Sequence, residues 1–313
     1  MEEKTQRTTL WKRLGAGAAV GVVVGVAGFF IAWFPGPSYA MGTVMFCLVP
    51  LAAGVAIGVV AAPPGRVAIT AAVLALLLSL VCLIAMGKEG LLCALLAIGL
   101  LVVPLMIGVG IGYLIRRVSA RSKGKATPIR LSVVLLMPLT IFAGHRVEMK
   151  ALAGPRTEVV STTTYLSAAP SDVWIQIQSL PTVEGRKPIL MYIGLPVPQR
   201  CVLEGTGVGS KRICYFDHGR IEETVLEWDP PRKMRLSIDR TNMPGRHWLE
   251  FESAEYDLVA VANGTRLTRT TTIQSNLYPA WYWRRFERLG VTDEHEYLFS
   301  DLARRFSSPS TRQ

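Results

Sequence analysis

Residues 90–130 read GLLCALLAIGLLVVPLMIGVGIGYLIRRVSARSKGKATPIR. The first part, Gly90 to Ile115, contains no charged side chain and exceeds the roughly 20 apolar residues needed to cross a bilayer's hydrocarbon core. The second part carries Arg116, Arg117, Arg121, Lys123, Lys125 and Arg130 and no acid. A membrane span followed by a strongly basic loop sets both the class of this chain and its orientation, because Lys and Arg on short loops are retained on the cytoplasmic side.

Three further charge-free runs lie upstream, at 14–34, 41–62 and 67–86, and a shorter one downstream at 131–144. The last holds Pro138 and is bounded by Arg130, His145 and Arg146. It reads as a fifth span, with an interfacial or re-entrant segment as the alternative. Lys12 and Arg13 before the first run give it the start of a signal peptide, but its apolar part is too long for one, so an uncleaved anchor is expected. The N-terminus carries Lys4, Arg7, Lys12 and Arg13, and the loop at 35–39 has no charge. Inside and outside therefore alternate consistently from a cytoplasmic N-terminus. With five spans the C-terminal half lies outside the cytoplasm, in a multi-pass cell-membrane protein; with four it lies inside.

The charge is unevenly distributed. Residues 1–150 hold 14 Lys and Arg against 4 Asp and Glu, whereas residues 151–313 hold 20 against 19. The basic balance belongs to the membrane half, where it meets anionic lipid, and argues against nucleic acid as a partner. No Asp, Glu, Lys or Arg lies within the spans, which argues against an ion or proton pathway. Gly17, Gly21 and Gly25, then Gly54 and Gly58, then Gly108 and Gly112 recur at helical spacing. Small residues four apart let helices approach closely, either within one chain, the preferred reading, or across a homo-oligomer.

After Lys150 the apolar density falls and strand and turn signals take over. A Val- and Thr-rich strand at 157–166 precedes a short helix opened by Pro170 and Asp172. The segment 180–198 holds four prolines and reads as a loop or weak helix. Strands follow at 200–204, 211–216, 221–228, 233–239, 247–261 and 264–275, joined by short turns that include Gly205–Ser210 and Asn263–Gly264. The chain closes with a helix over 279–306, expected to break near Gly290, with an apolar stripe at Tyr282, Phe286 and Leu289 continued by Phe299, Leu302 and Phe306. Residues 307–313 read as a disordered tail.

This order, together with the runs Ala169–Trp174, Gly207–Arg212, Gly219–Pro231 and Gly264–Leu267, resembles the START-like helix-grip superfamily (SRPBCC), which includes polyketide cyclases and lipid-transfer domains. The resemblance covers about residues 156–306, while the membrane part, 1–147, lies outside that family's usual core. It implies an α+β domain in which a curved antiparallel sheet grips the C-terminal helix around a hydrophobic cavity. Strand alternation nominates Met234, Leu236, Ile238, Leu249, Phe251, Tyr282 and Phe286 as its lining, though the same pattern also suits a filled core.

Centring the Gly-rich hairpin between Gly207 and Val208 sets Cys201 opposite Cys214, within disulfide range. Two small buried side chains in register are the alternative. No histidines lie at metal-ligand spacing, so neither a metal nor another cofactor is expected. His247, His295 and Glu223 are the candidates for acid or base chemistry, weighed against structural roles; Glu223 and Glu227 should share one strand face. Two functions follow: a membrane-tethered binding module for a lipid or other hydrophobic molecule, or a cavity enzyme of the polyketide cyclase/dehydratase type. A structural or assembly protein with a filled core is the third.

Overall fold

The computed structural model describes residues 2–33, 41–61, 65–121, 126–152, 154–243 and 248–307. It divides into a helical unit, residues 1–154 with 276–279, and a sheet unit, residues 155–275 with 280–313.

The helical unit contains α1 (Glu2–Trp33), a π-helical turn (Val44–Leu48) leading into α2 (Val49–Ala61), α3 (Gly65–Ala85), α4 (Leu91–Arg121) and α5 (Ala126–Ala151). Within the first four, the stretches Thr8–Ile31, Val44–Ala61, Gly65–Ala85 and Leu91–Ser119 are long and apolar enough to cross a membrane. The glycine spacing is explained by helix contacts inside the chain. A Cβ on Gly54 would lie 2.1 Å from the Leu105 carbonyl oxygen, and one on Gly58 would lie 3.0 Å from the Gly112 Cα. Backbone therefore meets backbone where α2 crosses α4, and dispersion contacts replace the hydrophobic effect that lipid cannot supply.

Charged side chains close both ends of the helix formed by the π-helical turn and α2. The Glu148 carboxylate of α5 accepts the backbone N–H groups of Thr43 and Val44, whereas Arg116 of α4 donates to the carbonyls of Val59 and Val60 at 2.8 and 3.1 Å. Each complements the partial charge of the helix end it meets. Helix α5 is continuous through Pro138. Its 26 residues span roughly 39 Å at 1.5 Å per residue, and its C-terminal turn lies where the π-helical turn begins. The segment 276–279 completes the unit. Met41 N–H donates to the Asn276 carbonyl at 2.9 Å, Tyr278 N–H donates to the Met41 carbonyl at 2.7 Å, and the Tyr278 hydroxyl donates to the Gly154 carbonyl at 3.1 Å.

The sheet unit has seven antiparallel strands: β1 (Arg156–Leu166), β2 (Pro198–Glu204), β3 (Lys211–Phe216), β4 (Gly219–Asp229), β5 (Lys233–Thr241), β6 (Leu249–Val261) and β7 (Gly264–Ser275). Their order is β1-β7-β6-β5-β4-β3-β2. Five short links build a meander from β2 to β7, and β1 adds to its far edge. The residues between β1 and β2 include α6 (Pro170–Gln178) and the single turn α7 (Ile189–Tyr192), and α8 (Ala280–Ser307) follows the last strand. Gly264 takes φ +139°, and a Cβ there would lie 2.0 Å from the Leu166 carbonyl oxygen. The β6–β7 turn is centred on Ala262–Asn263, one residue earlier than Asn263–Gly264, because Gly264 already pairs with Val261.

The core packs Val173, Trp174 and Ile177 of α6 and Leu298 and Leu302 of α8 with Val225, Met234, Leu236 and Leu267 of the sheet. Helix α8 runs unbroken through Gly290. A helical glycine costs only about 1 kcal/mol, which packing on both sides of it offsets. In the first half of the helix Trp283, Glu287 and Val291 are buried in place of the expected Tyr282, Phe286 and Leu289, of which Leu289 is exposed, whereas Phe299 and Leu302 are buried as expected. Ser307 is the last helical residue, and 308–313 lie outside the described residues.

Candidate functional site

The inner face of the sheet carries a sealed polar centre. On β3, Arg212 alternates with Cys214 and points inward; on β4, Glu223 lies between inward Ile221 and Val225; on β7, Arg269 follows Leu267 and precedes Thr271 and Ile273. Period two puts each side chain on the core face. Arg212 is 1% exposed and Glu223 4%. They are directly paired across β3 and β4, with Nη1 donating to Oε2 at 3.0 Å.

Tyr256 of β6 links this pair to a second one. The guanidinium carbons of Arg212 and Arg269 lie 5.6 and 5.3 Å from the Tyr256 ring centroid, within cation–π range. Arg269 Nη1 donates to Glu294 Oε1 of α8 at 3.0 Å. Next to it on the helix, His295 is 0% exposed, its ring held between the Thr271 hydroxyl at 2.8 Å and the Thr162 hydroxyl at 3.0 Å.

Burial sets the electrostatics. It pushes the Glu223 carboxyl above the ordinary range, even though Arg212 and Arg269 pull the other way. Burial also opposes the charge on Arg212, but Tyr256 and Glu223 outweigh it and the guanidinium stays charged. Burial, then the nearby Arg269, pulls His295 down to about 2, so the imidazole is neutral at physiological pH. Three donors remain unmatched: Nε and Nη2 of Arg212 and Nε of Arg269 have no hydrogen-bond partner among the described residues. Buried donors normally find an acceptor on protein, water or ligand.

The proposed lining residues separate. Met234 and Leu236 belong to the main core. Leu249 and Phe251 lie beyond a bulge at Phe251/Ser253 and pack with Val160, Ile273 and Val291 in a smaller cluster. Ile238 is half-buried and faces Glu223 across the ladder. Tyr282 and Phe286 touch each other, with ring centroids 5.2 Å apart, but both are only half-buried because α8 turns its neighbouring face to the sheet. His247 lies outside the described residues. Glu227 does not share the face of Glu223: a bulge between Val225 and Glu227 re-aims it outward, where it pairs with Lys233 at 3.3 Å.

Cys201 and Cys214 face each other in the β2–β3 ladder and are joined by a disulfide, with Cα atoms 4.0 Å apart. The Cys214 sulfur lies 3.8 Å from Glu223 Oε2, so the bridge backs the polar centre. Among the described residues, no three His, Cys, Asp or Glu side chains gather in a group that could hold a metal.

Arg212 and Arg269 do not stand out in the sequence as site residues, because basic residues on strands ordinarily face water. Their signal is phase: Arg212 shares its strand face with Cys214, and Arg269 shares its own with Leu267, Thr271 and Ile273.

A second buried ion group ties β1 to α8. Arg156 Nη2 pairs with Glu287 at 2.8 Å, and Arg284 Nε pairs with Glu158 at 2.7 Å. It holds the helix against the edge strand.

No family model matches the chain, and no curated protein matches it. Solved structures that align with it cover about half its length. An uncharacterised protein from Rhizobium leguminosarum is 11% identical over 47% of this chain and 97% of its own, with TM-score 0.33. A protein from Rhodobacter sphaeroides is 15% identical over 49% and 99%, with TM-score 0.35, and one from Arthrobacter aurescens is 14% identical over 51% and 94%, with TM-score 0.35.

Proposed function

We propose that this chain is a membrane-anchored binding module whose sheet unit, a START-like helix-grip domain, holds a small molecule with an apolar body and a polar head. The observation that carries the reading is the sealed polar centre, where guanidinium donors without acceptors stand inside an otherwise apolar interior. Ligand sites are mostly apolar with a few placed polar groups that fix orientation.

The anchor has five crossings in this reading. Helix α5 starts within the basic segment 116–130 and ends beside the π-helical turn that leads into α2, which leaves the sheet unit on the side opposite the cytoplasmic N-terminus. A disulfide in that unit suits an extracytoplasmic compartment.

Native mass spectrometry of the full chain in detergent, followed by organic extraction, tests the binding. Release of a stoichiometric hydrophobic compound is expected, and a chain that is empty and accepts no hydrophobic probe overturns the reading in favour of a structural protein with a filled core.

Glu223 favours one second reading, a cavity enzyme of the polyketide cyclase/dehydratase type. A carboxyl whose pKa is raised by burial is suited to act as a general acid. Recovery of an extracted compound chemically altered by the wild type but not by Glu223→Gln would favour it.

A further inference from the structure

The two unmatched nitrogens of Arg212 have a specific geometry. Nη1 is committed to Glu223, and the unpartnered atoms are Nε and Nη2. These two lie on the same edge of the planar guanidinium, where their N–H bonds run parallel. That edge is a fork that receives two oxygens of one carboxylate or phosphate, whereas a hydroxyl or carbonyl offers a single oxygen. The Glu223 contact holds the guanidinium, whose carbon lies over the Tyr256 ring.

Charge points the same way. The centre contains two guanidinium groups, Arg212 and Arg269, and two carboxyls, Glu223 and Glu294. Burial works against the charge on Glu223, which favours an additional anion beside the two guanidinium groups.

We infer that Arg212 is the head-group receptor of the sheet unit, taking an oxyanion-bearing amphiphile through a two-pronged contact from Nε and Nη2, with the unmatched Nε of Arg269 available to the same anion. This rests on the binding-module reading above and narrows its ligand class to acids, either a carboxylate or a phosphate monoester on an apolar chain.

The test uses the full chain in a non-ionic detergent with three probes of one chain length: hexadecanoate, hexadecyl phosphate and hexadecanol. Adducts are counted by native mass spectrometry and affinities taken from the shift in thermal midpoint. The wild type should bind hexadecanoate or hexadecyl phosphate about tenfold or more tightly than hexadecanol, as expected for a charge-assisted two-point contact. Whichever acid binds more tightly identifies the head group. Arg212→Lys keeps the charge but loses the fork and should erase the preference while hexadecanol binding persists. The double variant Arg212→Met/Glu223→Gln removes the pair together and should do the same. Equal binding of acid and alcohol by the wild type, or an undiminished preference in Arg212→Lys, overturns the inference and leaves apolar binding intact. Binding of none of the probes overturns the binding-module reading as well. If the variants fail to fold, the wild-type comparison of acid with alcohol decides alone.

Discussion

Arg212 and Glu223 are directly opposed residues on neighbouring strands, their charged groups 3.0 Å apart and both closed off from solvent. Desolvating two charges costs several kcal/mol each, and the pair persists because each side chain supplies the other's counter-charge. Glu223→Ala should therefore lower stability by about 3–5 kcal/mol, since it leaves a charged guanidinium buried alone. Arg212→Met/Glu223→Gln should recover most of that loss. Denaturant unfolding of the full chain in detergent, followed by tryptophan fluorescence, measures both; a double variant as unstable as the single would show that the pair is not the source of the effect.

His295 gives the sheet unit a pH dependence with a defined sign. Its folded pKa is about 2 against 6.5 for the free side chain, so the unfolded chain takes up a proton that the native fold refuses. Stability from this group is complete above about pH 6.5 and declines as pH falls, by at most about 1.4 kcal/mol per unit. Glu223 acts in the opposite direction, because burial raises its pKa rather than lowering it. Unfolding free energies at about pH 7 and about pH 5, compared between wild type and His295→Asn, isolate the histidine contribution; identical slopes would disprove it.

The Cys201–Cys214 bridge closes a loop of sequence separation 13. By loop entropy it stabilises the fold by about 3 kcal/mol. Cys201→Ala/Cys214→Ala should shift the denaturant midpoint accordingly. Alkylation of the denatured, unreduced protein should label Cys47, Cys82 and Cys93 alone, with two more sites appearing after reduction; five labels before reduction would contradict the bridge.

Glycines in α4 should differ sharply in tolerance. Gly112→Leu drives a side chain into the Val55 carbonyl, which a Cβ there would already approach to 2.2 Å, whereas Gly110 has nothing within 4 Å of its Cβ position. Size-exclusion profiles in detergent should show Gly110→Leu behaving as wild type and Gly112→Leu aggregated or lost.

A reporter fused after Gln313 should be active outside the cytoplasm and silent within it. The opposite result would return α5 to a non-spanning role.

The apolar runs, the strand alternation and the final helix are legible in the sequence because each repeats one physical period over many residues. The face of α8 is not, because its buried stripe includes Glu287 and His295, which satisfy Arg156, Thr162 and Thr271 from the sheet. Polarity there disguises burial and moves the apparent stripe onto Tyr282 and Phe286. The polar centre is hidden for a related reason. Arg269 is paired directly with Tyr256 across β6 and β7, but Arg212 lies three strands away on β3 and still reaches the same ring. Bulges add a third obstacle: the shift after Val225 flips Glu227 outward, and a strict alternation cannot foresee it.

The pairing of Met41 with Asn276 and Tyr278 bears on the order in which the protein is made. A ribosome delivers Met41 early and its backbone partners only after all seven strands have been synthesised. The helical unit therefore waits for its last hydrogen bonds until nearly the whole sheet sequence has been translated. A nascent chain arrested before Asn276 would leave Met41's amide and carbonyl without these partners.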